Sequence, residues 1–175
     1  YWKDSFNYLT GEDCYVPASL VYVNFTDHRF NFPNLSGIAS GINVDKAVQS
    51  ALMEVIERDA SIKWWYFDSK ERLIKKEIDG DYTFLSYQID AIVPTVATFI
   101  YDNIRKLVAV GFSTKFDIED AMVKAKAEAV QLHYNMLNLI DGNISDNDPV
   151  KAYLKSDNMN RYYMDDFRTD KMDMF

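Results

Sequence analysis

Four polar residues recur at short intervals in one segment of the chain: Ser50, Glu54, Glu57 and Arg58. At about 100° per residue along an α-helix, the first three side chains fall within an arc of about 60°, and Arg58 lies near its edge. Carboxylates that converge repel one another unless positive charge compensates, and Mg²⁺ prefers such oxygen ligands. A hydroxyl and a guanidinium beside them can bind phosphate oxygens. The spacing is therefore compatible with a magnesium and phosphate site.

The same spacing also fits a plain solvent-exposed helix face. Pairs of oppositely charged side chains on helix surfaces are common and contribute little to stability. Spacing alone therefore leaves both interpretations open.

A glycine-containing turn, with Gly37 and Gly41, precedes these residues. Glycine allows the backbone to approach a ligand closely, so amides of this turn could contribute to anion binding. The turn lacks the Lys-Ser/Thr ending of a P-loop. Either Asn43 or Asp45 can cap the helix that follows, which we predict to continue to about Phe67.

Apolar residues of this helix lie nearly opposite the polar arc, which predicts that they are buried: Val48, Leu52, Val55 and Ile62. The aromatic cluster near the helix end, Trp64, Trp65 and Tyr66, could be a platform for a substrate or a nucleobase, but core packing is the more common role of such a cluster.

Further elements follow from periodicity and composition. Residues 18–25 are predicted as a strand, 70–76 as a short strand or loop, 81–92 as a short helix, and 94–101 with 107–114 as an antiparallel hairpin. Residues 117–139 carry apolar side chains at helical intervals and form the second long helix, on which Glu128 could join Glu54 and Glu57 around a metal ion. We therefore predict an α+β fold, in which a mixed or antiparallel sheet packs against two long helices.

Composition and charge limit the possible functions. The chain has 175 residues, 48% of them hydrophobic, and a net charge of −8. This charge argues against nucleic acid as a partner, because such binding usually depends on clustered Lys and Arg. The lone Cys14 cannot form an internal disulfide, and neither a membrane span nor a signal peptide is recognisable. We therefore expect a cytoplasmic protein without membrane association.

Two regions carry weaker signals. His28 lies in a predicted connection, with no nucleophile or carboxylate at a recognisable spacing, and we interpret it as a surface residue. Residues 141–175 are polar and acidic, with a possible short helix near 149–155, and are predicted to be an extension or a connection to further parts of the protein.

The central stretch resembles the core signature of YcaO-type proteins, the ATP-dependent cyclodehydratases that install azoline rings in ribosomal peptides. The family motif Ser-x3-Glu-x2-Glu-Arg and the Gly-x-Ala-x-Gly turn before it are matched in full by Ser50, Glu54, Glu57, Arg58, Gly37, Ala39 and Gly41. On the second helix, the family patterns Ser-x6-Glu and Gln-x3-Arg transfer to Glu128 and Gln131. This chain departs from them at Ala121, where the family has Ser, and at Asn135, where it has Arg.

The resemblance covers about residues 16–139 and implies ATP and Mg²⁺ as cofactors. It implies that Glu54, Glu57 and Glu128 bind the metal, and that Ser50, Arg58 and Gln131 bind the nucleotide. The implied partners are a ribosomal precursor peptide and a protein that binds its leader. No residue stands out as a general base, so catalytic residues stay unassigned. The chain is shorter than a complete YcaO domain, so we expect residues 1–175 to be one partial domain.

In this family, a Cys, Ser or Thr side chain attacks the carbonyl carbon of a peptide bond, and ATP phosphorylates the amide oxygen, which then leaves as phosphate. Two alternatives stay open beside this activity. One is a related enzyme that forms a thioamide or an amidine. The other is a non-catalytic peptide-binding module that has lost part of the nucleotide site, as Ala121 and Asn135 could indicate.

Overall fold

The computed structural model describes residues 1–22, 36–67 and 70–141. Predictions for residues 23–25 of the expected strand, for His28 and for residues 142–175 therefore lie outside the described residues. The described elements, in chain order, are β1 Trp2–Asn7, β2 Glu12–Pro17, α1 Ala18–Val21, α2 Val44–Tyr66, β3 Arg72–Asp79, β4 Tyr82–Asp90, β5 Thr95–Asp102, β6 Leu107–Thr114 and α3 Ile118–Ile140. The chain divides into two compact units, Tyr1–Val55 and Ile56–Phe175, with the boundary inside α2.

The first unit begins with an antiparallel hairpin of β1 and β2, in register from Trp2 opposite Pro17 to Asn7 opposite Glu12. The Asn7 side-chain oxygen accepts a hydrogen bond from the Leu9 amide at 2.9 Å, which stabilises the turn between the strands. The hairpin was not predicted, because its side chains follow no clear apolar alternation.

Helix α1 follows the hairpin and corrects one prediction. Residues 18–21 form a short helix and not the start of a strand. Pro17 precedes it with φ −57°, a value suited to entering a helix, and the Tyr22 amide donates to the Ala18 carbonyl oxygen at 3.0 Å. This local hydrogen bond outweighs the strand preference of Val21 and its neighbours.

Helix α2 begins as predicted. The Asn43 side-chain oxygen accepts a hydrogen bond from the Lys46 amide at 2.9 Å, so Asn43 is the capping residue. Gly41 packs directly on the first turn, because a Cβ atom there would lie 2.5 Å from the Ala47 amide nitrogen. The helix ends at Tyr66, one residue before the predicted end.

The second unit contains a four-stranded sheet in the order β3-β4-β5-β6, with every neighbouring pair antiparallel. Strands β5 and β6 confirm the predicted hairpin. The predicted helix at 81–92 is wrong, because Tyr82–Asp90 forms the interior strand β4. There Phe84 and Leu85 point to opposite faces of the sheet and both are buried, so that the apolar pattern shows little alternation.

Each face of this sheet packs against residues of a different helix. On one face, Ala60 and Trp64 of α2 pack with residues such as Leu85 and Phe99. On the other face, Ala129 of α3 packs with Phe84, Ile100 and Ala109. Nearer the start of α3, three more residues pack with Val96, namely Ala121, Met122 and Ala125. The end of α2 and the alanines of α3 thus lie against opposite faces of the sheet.

Helix α3 lies very close to strand β6. A Cβ atom at Gly111 would overlap the Ala125 carbonyl oxygen and the Ala129 amide nitrogen, and would lie 2.9 Å from the Glu128 Cβ atom. The small residues of α3 and β6 therefore bring Glu128 directly over the sheet.

Within the same sheet, the buried hydroxyl groups of Ser86 and Thr98 form a hydrogen bond with each other at 2.9 Å.

The fold class is confirmed as α+β, with antiparallel sheets and two long helices, and α1 is an additional short helix. Among the residues that the structure describes, none of the helices is both long enough and apolar enough to span a membrane.

Candidate functional site

The carboxylate of Glu54 is tied to the glycine turn that precedes α2. The Gly37 amide donates a hydrogen bond to Glu54 Oε2 at 3.3 Å, and Gly37 adopts φ +83°, a conformation that favours glycine. The Gly37 amide therefore already has a carboxylate acceptor within the first unit. That amides of this turn bind an anion stays a prediction, and the Gly37 amide would have to exchange its bond to Glu54 for one to the anion.

Ser50 lies four residues before Glu54 on the same helix. Its side chain is exposed, whereas that of Glu54 is half-buried. One helical turn separates the two residues, so both side chains project from similar faces of α2.

Glu57 and Arg58 belong to the second unit. Glu57 is half-buried and Arg58 is exposed. Seven residues separate Glu57 from Trp64, so the two side chains lie within about 20° of each other around the helix axis. The acidic face of α2 therefore borders the face that packs on the sheet.

This arrangement reverses the predicted burial of α2. Leu52, Val55 and Ile62 are 56%, 47% and 53% exposed, so the prediction that they are buried is wrong. Trp64, fully buried, and Ala60 provide the packing face instead. The large indole ring contacts Phe99 and Phe112 with centroid distances of 6.0 and 6.2 Å, and such ring packing decides which side of the helix faces the sheet.

The aromatic cluster at the end of α2 divides between core and surface. Trp64 is a core residue as predicted, and its indole Nε1–H donates to Glu71 Oε2 at 2.9 Å. Trp65 is partly buried against the same cluster, whereas Tyr66 is 65% exposed. Burial and the charge of Glu71 both raise the pKa of Tyr87, which packs edge-on against Phe99.

Glu128 and Gln131 lie on α3. Glu128 Oε1 is 3.0 Å from Lys124 Nζ, one turn earlier, and Gln131 is exposed. Of the two departures from the family pattern, Ala121 is fully buried beside Val96, and Asn135 is exposed. In this chain, position 121 therefore contributes to the core between α3 and the sheet.

The described residues do not contain a group of three or more His, Cys, Asp or Glu side chains close enough to hold a metal ion. The chemistry of the predicted set nevertheless fits Mg²⁺, since Glu54, Glu57 and Glu128 supply carboxylate oxygens only. Their convergence around one ion stays a prediction.

A buried ionisable pair that no sequence motif marks connects β5 and α3. Asp102, at the end of β5, and His133, on α3, are both buried, and Oδ2 of the aspartate lies 3.3 Å from Nε2 of the imidazole. Burial raises the pKa of Asp102, but hydrogen bonds from the amides of Arg105 and Ile104, together with the nearby imidazole, outweigh it and hold the pKa below its ordinary value. His133 follows Ala129 by four residues and so lies on the apolar face of α3, and this spacing is the sequence feature that indicates its burial.

The fold resembles three proteins described as a heterocyclase in complex with substrate and cofactor, an Escherichia coli microcin synthetase complex with pro-MccB17 bound, and YcaO from Methanopyrus kandleri bound with AMPPCP and Mg²⁺. The TM-scores are 0.65, 0.75 and 0.61, at 20%, 19% and 21% identity. The alignments cover 73%, 87% and 74% of this chain and 20%, 45% and 39% of those chains. At these identities the likeness shows a shared fold.

The family itself follows from the sequence match. The model described as YcaO cyclodehydratase, ATP- and Mg²⁺-binding, matches residues 1–174, and the chain belongs to this family. ATP and Mg²⁺ are therefore its cofactors, as predicted. An uncharacterised protein of Methanothermobacter thermautotrophicus is 29% identical over 74% of this chain and 40% of its own length. The chain thus spans less than half the length of these relatives.

Proposed function

We propose that this chain is the ATP-binding part of a peptide cyclodehydratase that forms thiazoline or oxazoline rings from Cys, Ser or Thr. One observation carries the proposal: Ser50, Glu54, Glu57 and Arg58, the complete family motif, all lie within the single helix α2 of a chain that belongs to the YcaO family. Because the chain matches only part of its relatives, we also propose that residues 1–175 belong to one longer YcaO domain.

Each site residue has a proposed role that its chemistry supports. Glu54, Glu57 and Glu128 would supply carboxylate oxygens to Mg²⁺. Ser50 and Gln131 would donate hydrogen bonds to the nucleotide. Arg58 would neutralise phosphate charge with its planar guanidinium.

When bound, Mg-ATP would supply a phosphoryl group to the peptide amide oxygen, so that this poor leaving group could depart as part of inorganic phosphate. The residues of this chain would hold and neutralise the phosphates while a side chain of the peptide attacks the carbonyl carbon. The proposed partners are a ribosomal precursor peptide and a protein that binds its leader. Two of the solved structures support this, since they are described as complexes with a substrate and with pro-MccB17.

Magnesium-dependent nucleotide binding by the full-length protein tests the site before any peptide is known. Glu57→Gln and Glu128→Gln each remove one carboxylate charge without changing side-chain volume. Glu54→Gln is the sharpest variant, because its amide oxygen can still accept the hydrogen bond from Gly37. We expect each to weaken Mg-AMPPCP binding by roughly 10-fold or more in isothermal titration calorimetry, since polar contacts to charged groups contribute about 1.5–3 kcal/mol.

Asp59→Asn is the matched control. Asp59 lies on the same helix and pairs with Lys63 at the surface, so its loss removes one negative charge away from the proposed site. The Asp59→Asn variant should bind Mg-AMPPCP with the affinity of the wild type. Equal affinity for wild type, Glu54→Gln and Glu57→Gln would contradict the proposed site.

A second candidate function is a non-catalytic peptide-binding module. Ala121, which is fully buried where the family has Ser, and the exposed Asn135, where it has Arg, favour it. Phosphate release from ATP with a cognate peptide separates the two functions. If the protein binds the peptide but releases no phosphate, the non-catalytic function is correct.

The mass of the modified peptide separates cyclodehydration from a related reaction. Ring formation removes one water, whereas thioamide formation replaces oxygen by sulfur and amidine formation replaces it by nitrogen. Loss of one water per ring is the expected result.

A further inference from the structure

We propose that His133 is a positioning residue: its buried contact with Asp102 fixes α3 on the sheet and so sets the place from which Glu128 and Gln131 act. This inference rests on the proposed function for the roles of those two residues. The contact itself lies wholly within the second unit.

Asp102 connects three parts of the structure through one carboxylate. Its Oδ1 accepts hydrogen bonds from the amides of Ile104 and Arg105, both at 2.9 Å, and thereby shapes the turn between β5 and β6. Its Oδ2 lies 3.3 Å from His133 Nε2. A movement of α3 relative to this turn must therefore break or stretch the contact.

The imidazole of His133 is confined on the other side by Tyr82. The two rings meet edge to face with centroids 5.5 Å apart, and Tyr82 is the residue opposite Asp102 in the sheet. His133 is 4% exposed, and Nε2 has no well-aligned hydrogen-bond acceptor among the described residues. Asp102 is thus the group that compensates the polar Nε2 atom, through charge and proximity rather than through ideal hydrogen-bond geometry.

Apolar packing fixes the position of α3 only in part. The residues in closest contact with the sheet, Ala121, Ala125 and Ala129, are small and fully buried, and the larger side chains of Met122, Leu132 and Met136 pack beside them. Three alanines on successive turns present a smooth surface, which opposes sliding or rotation less than interlocking large side chains do. A polar contact that is costly to break can fix one register, as buried polar residues do in coiled coils.

The consequence for the site follows from helix geometry. Gln131 lies two residues before His133, and Glu128 lies five residues before it, so all three belong to adjacent turns of α3. A shift of the helix at His133 is therefore transmitted to both side chains. The second link between the same elements, Arg105 to Asp141 at 3.1 Å, is half-exposed and contributes less.

The test measures Mg-AMPPCP affinity of the full-length protein for three variants, with circular dichroism to confirm folding. His133→Leu removes the polar contact, Asp102→Asn keeps an oxygen for the turn amides but removes the charge, and His133→Gln keeps a donor. We expect the first two to lose roughly 10–100-fold in affinity, as residues that orient ligands typically do, and His133→Gln to recover most of it. The control Arg105→Gln should bind like the wild type. Unchanged affinity in folded His133→Leu and Asp102→Asn would overturn the proposal.

A second measurement does not depend on nucleotide binding. Spin labels at the exposed positions of Tyr134 on α3 and Ile92 in the β4–β5 turn report the position of the helix by electron paramagnetic resonance. We expect a shifted or broadened distance distribution in Asp102→Asn and the wild-type distribution in Arg105→Gln. If the wild type binds no nucleotide, the proposed function fails, and the distance distribution alone then decides whether His133 positions α3. An unchanged distribution in folded Asp102→Asn would contradict that role.

Discussion

Gly111 of β6 and Ala125 of α3 are in direct backbone contact, because a single Cβ atom at Gly111 would overlap the Ala125 carbonyl oxygen. The contact brings the second long helix onto the sheet at the turn that carries Glu128. The structure therefore links the stability of the sheet and helix interface to the geometry of a proposed metal ligand.

We expect Gly111→Ala to destabilise the protein by about 1–3 kcal/mol, the usual cost of overpacking, because both obstructing groups are backbone atoms that cannot rotate away. Urea denaturation measures this change. Gly80→Asn is the control, since Gly80 adopts φ +57° with open space around it and Asn tolerates this conformation. A wild-type midpoint for Gly111→Ala would show that the helix can move away from the sheet at little cost.

Trp64→Ala should destabilise the second unit by about 3–5 kcal/mol, because it leaves a cavity at a fully buried site and removes the indole N–H that donates a hydrogen bond to Glu71. Tyr66→Ala is the control, because the side chain of Tyr66 is also large and aromatic but is 65% exposed. Its free energy of unfolding should change by no more than about 0.5 kcal/mol. Thermal unfolding followed by circular dichroism compares the two variants. Similar losses in both would contradict the assignment of Trp64 to the core.

Gly37→Ala should destabilise the turn before α2 by about 1–2 kcal/mol, the cost of a left-handed conformation for a residue with a Cβ atom. The new methyl group would also lie 3.0 Å from Val55 Cγ2. Gly37→Asn should cost less, because Asn adopts positive φ more readily. Hydrogen exchange of the Gly37 region and the unfolding midpoint are the measurements, and equal behaviour of both variants and the wild type would contradict strain at this turn.

Stability should depend on pH through Asp102. Its pKa is lower in the folded protein than its ordinary value, so ionised Asp102 stabilises the fold at neutral pH. This contribution is lost as pH falls from about 5 through the ordinary carboxylate range and then through the folded pKa. The free energy of unfolding of the wild type should therefore fall toward that of Asp102→Asn over this range. Parallel curves for the two proteins would contradict the shift.

The strands show how far local patterns could predict the fold. The hairpin of β5 and β6 was predicted because each strand is rich in β-branched and aromatic residues and the Asp102–Lys106 turn is polar. Strand β4 was missed because both of its faces are buried, on one side by α2 and on the other by α3, so that alternation does not mark it as a strand. The pairing with β3 and β5 that stabilises it joins residues distant in sequence.

In the candidate site, too, some features follow from the local sequence and others only from the tertiary structure. The sequence by itself determined the two long helices, a cap at either Asn43 or Asp45 and the family motif on α2, because helix periodicity, capping and motif spacing are local properties. The structure selects Asn43 as the cap. Only the tertiary structure decided that α2 packs through Trp64 and not through Leu52, Val55 and Ile62, and that His133 meets Asp102. Both outcomes depend on which surfaces the sheet presents to each helix, and those surfaces are assembled from strands far apart in the chain.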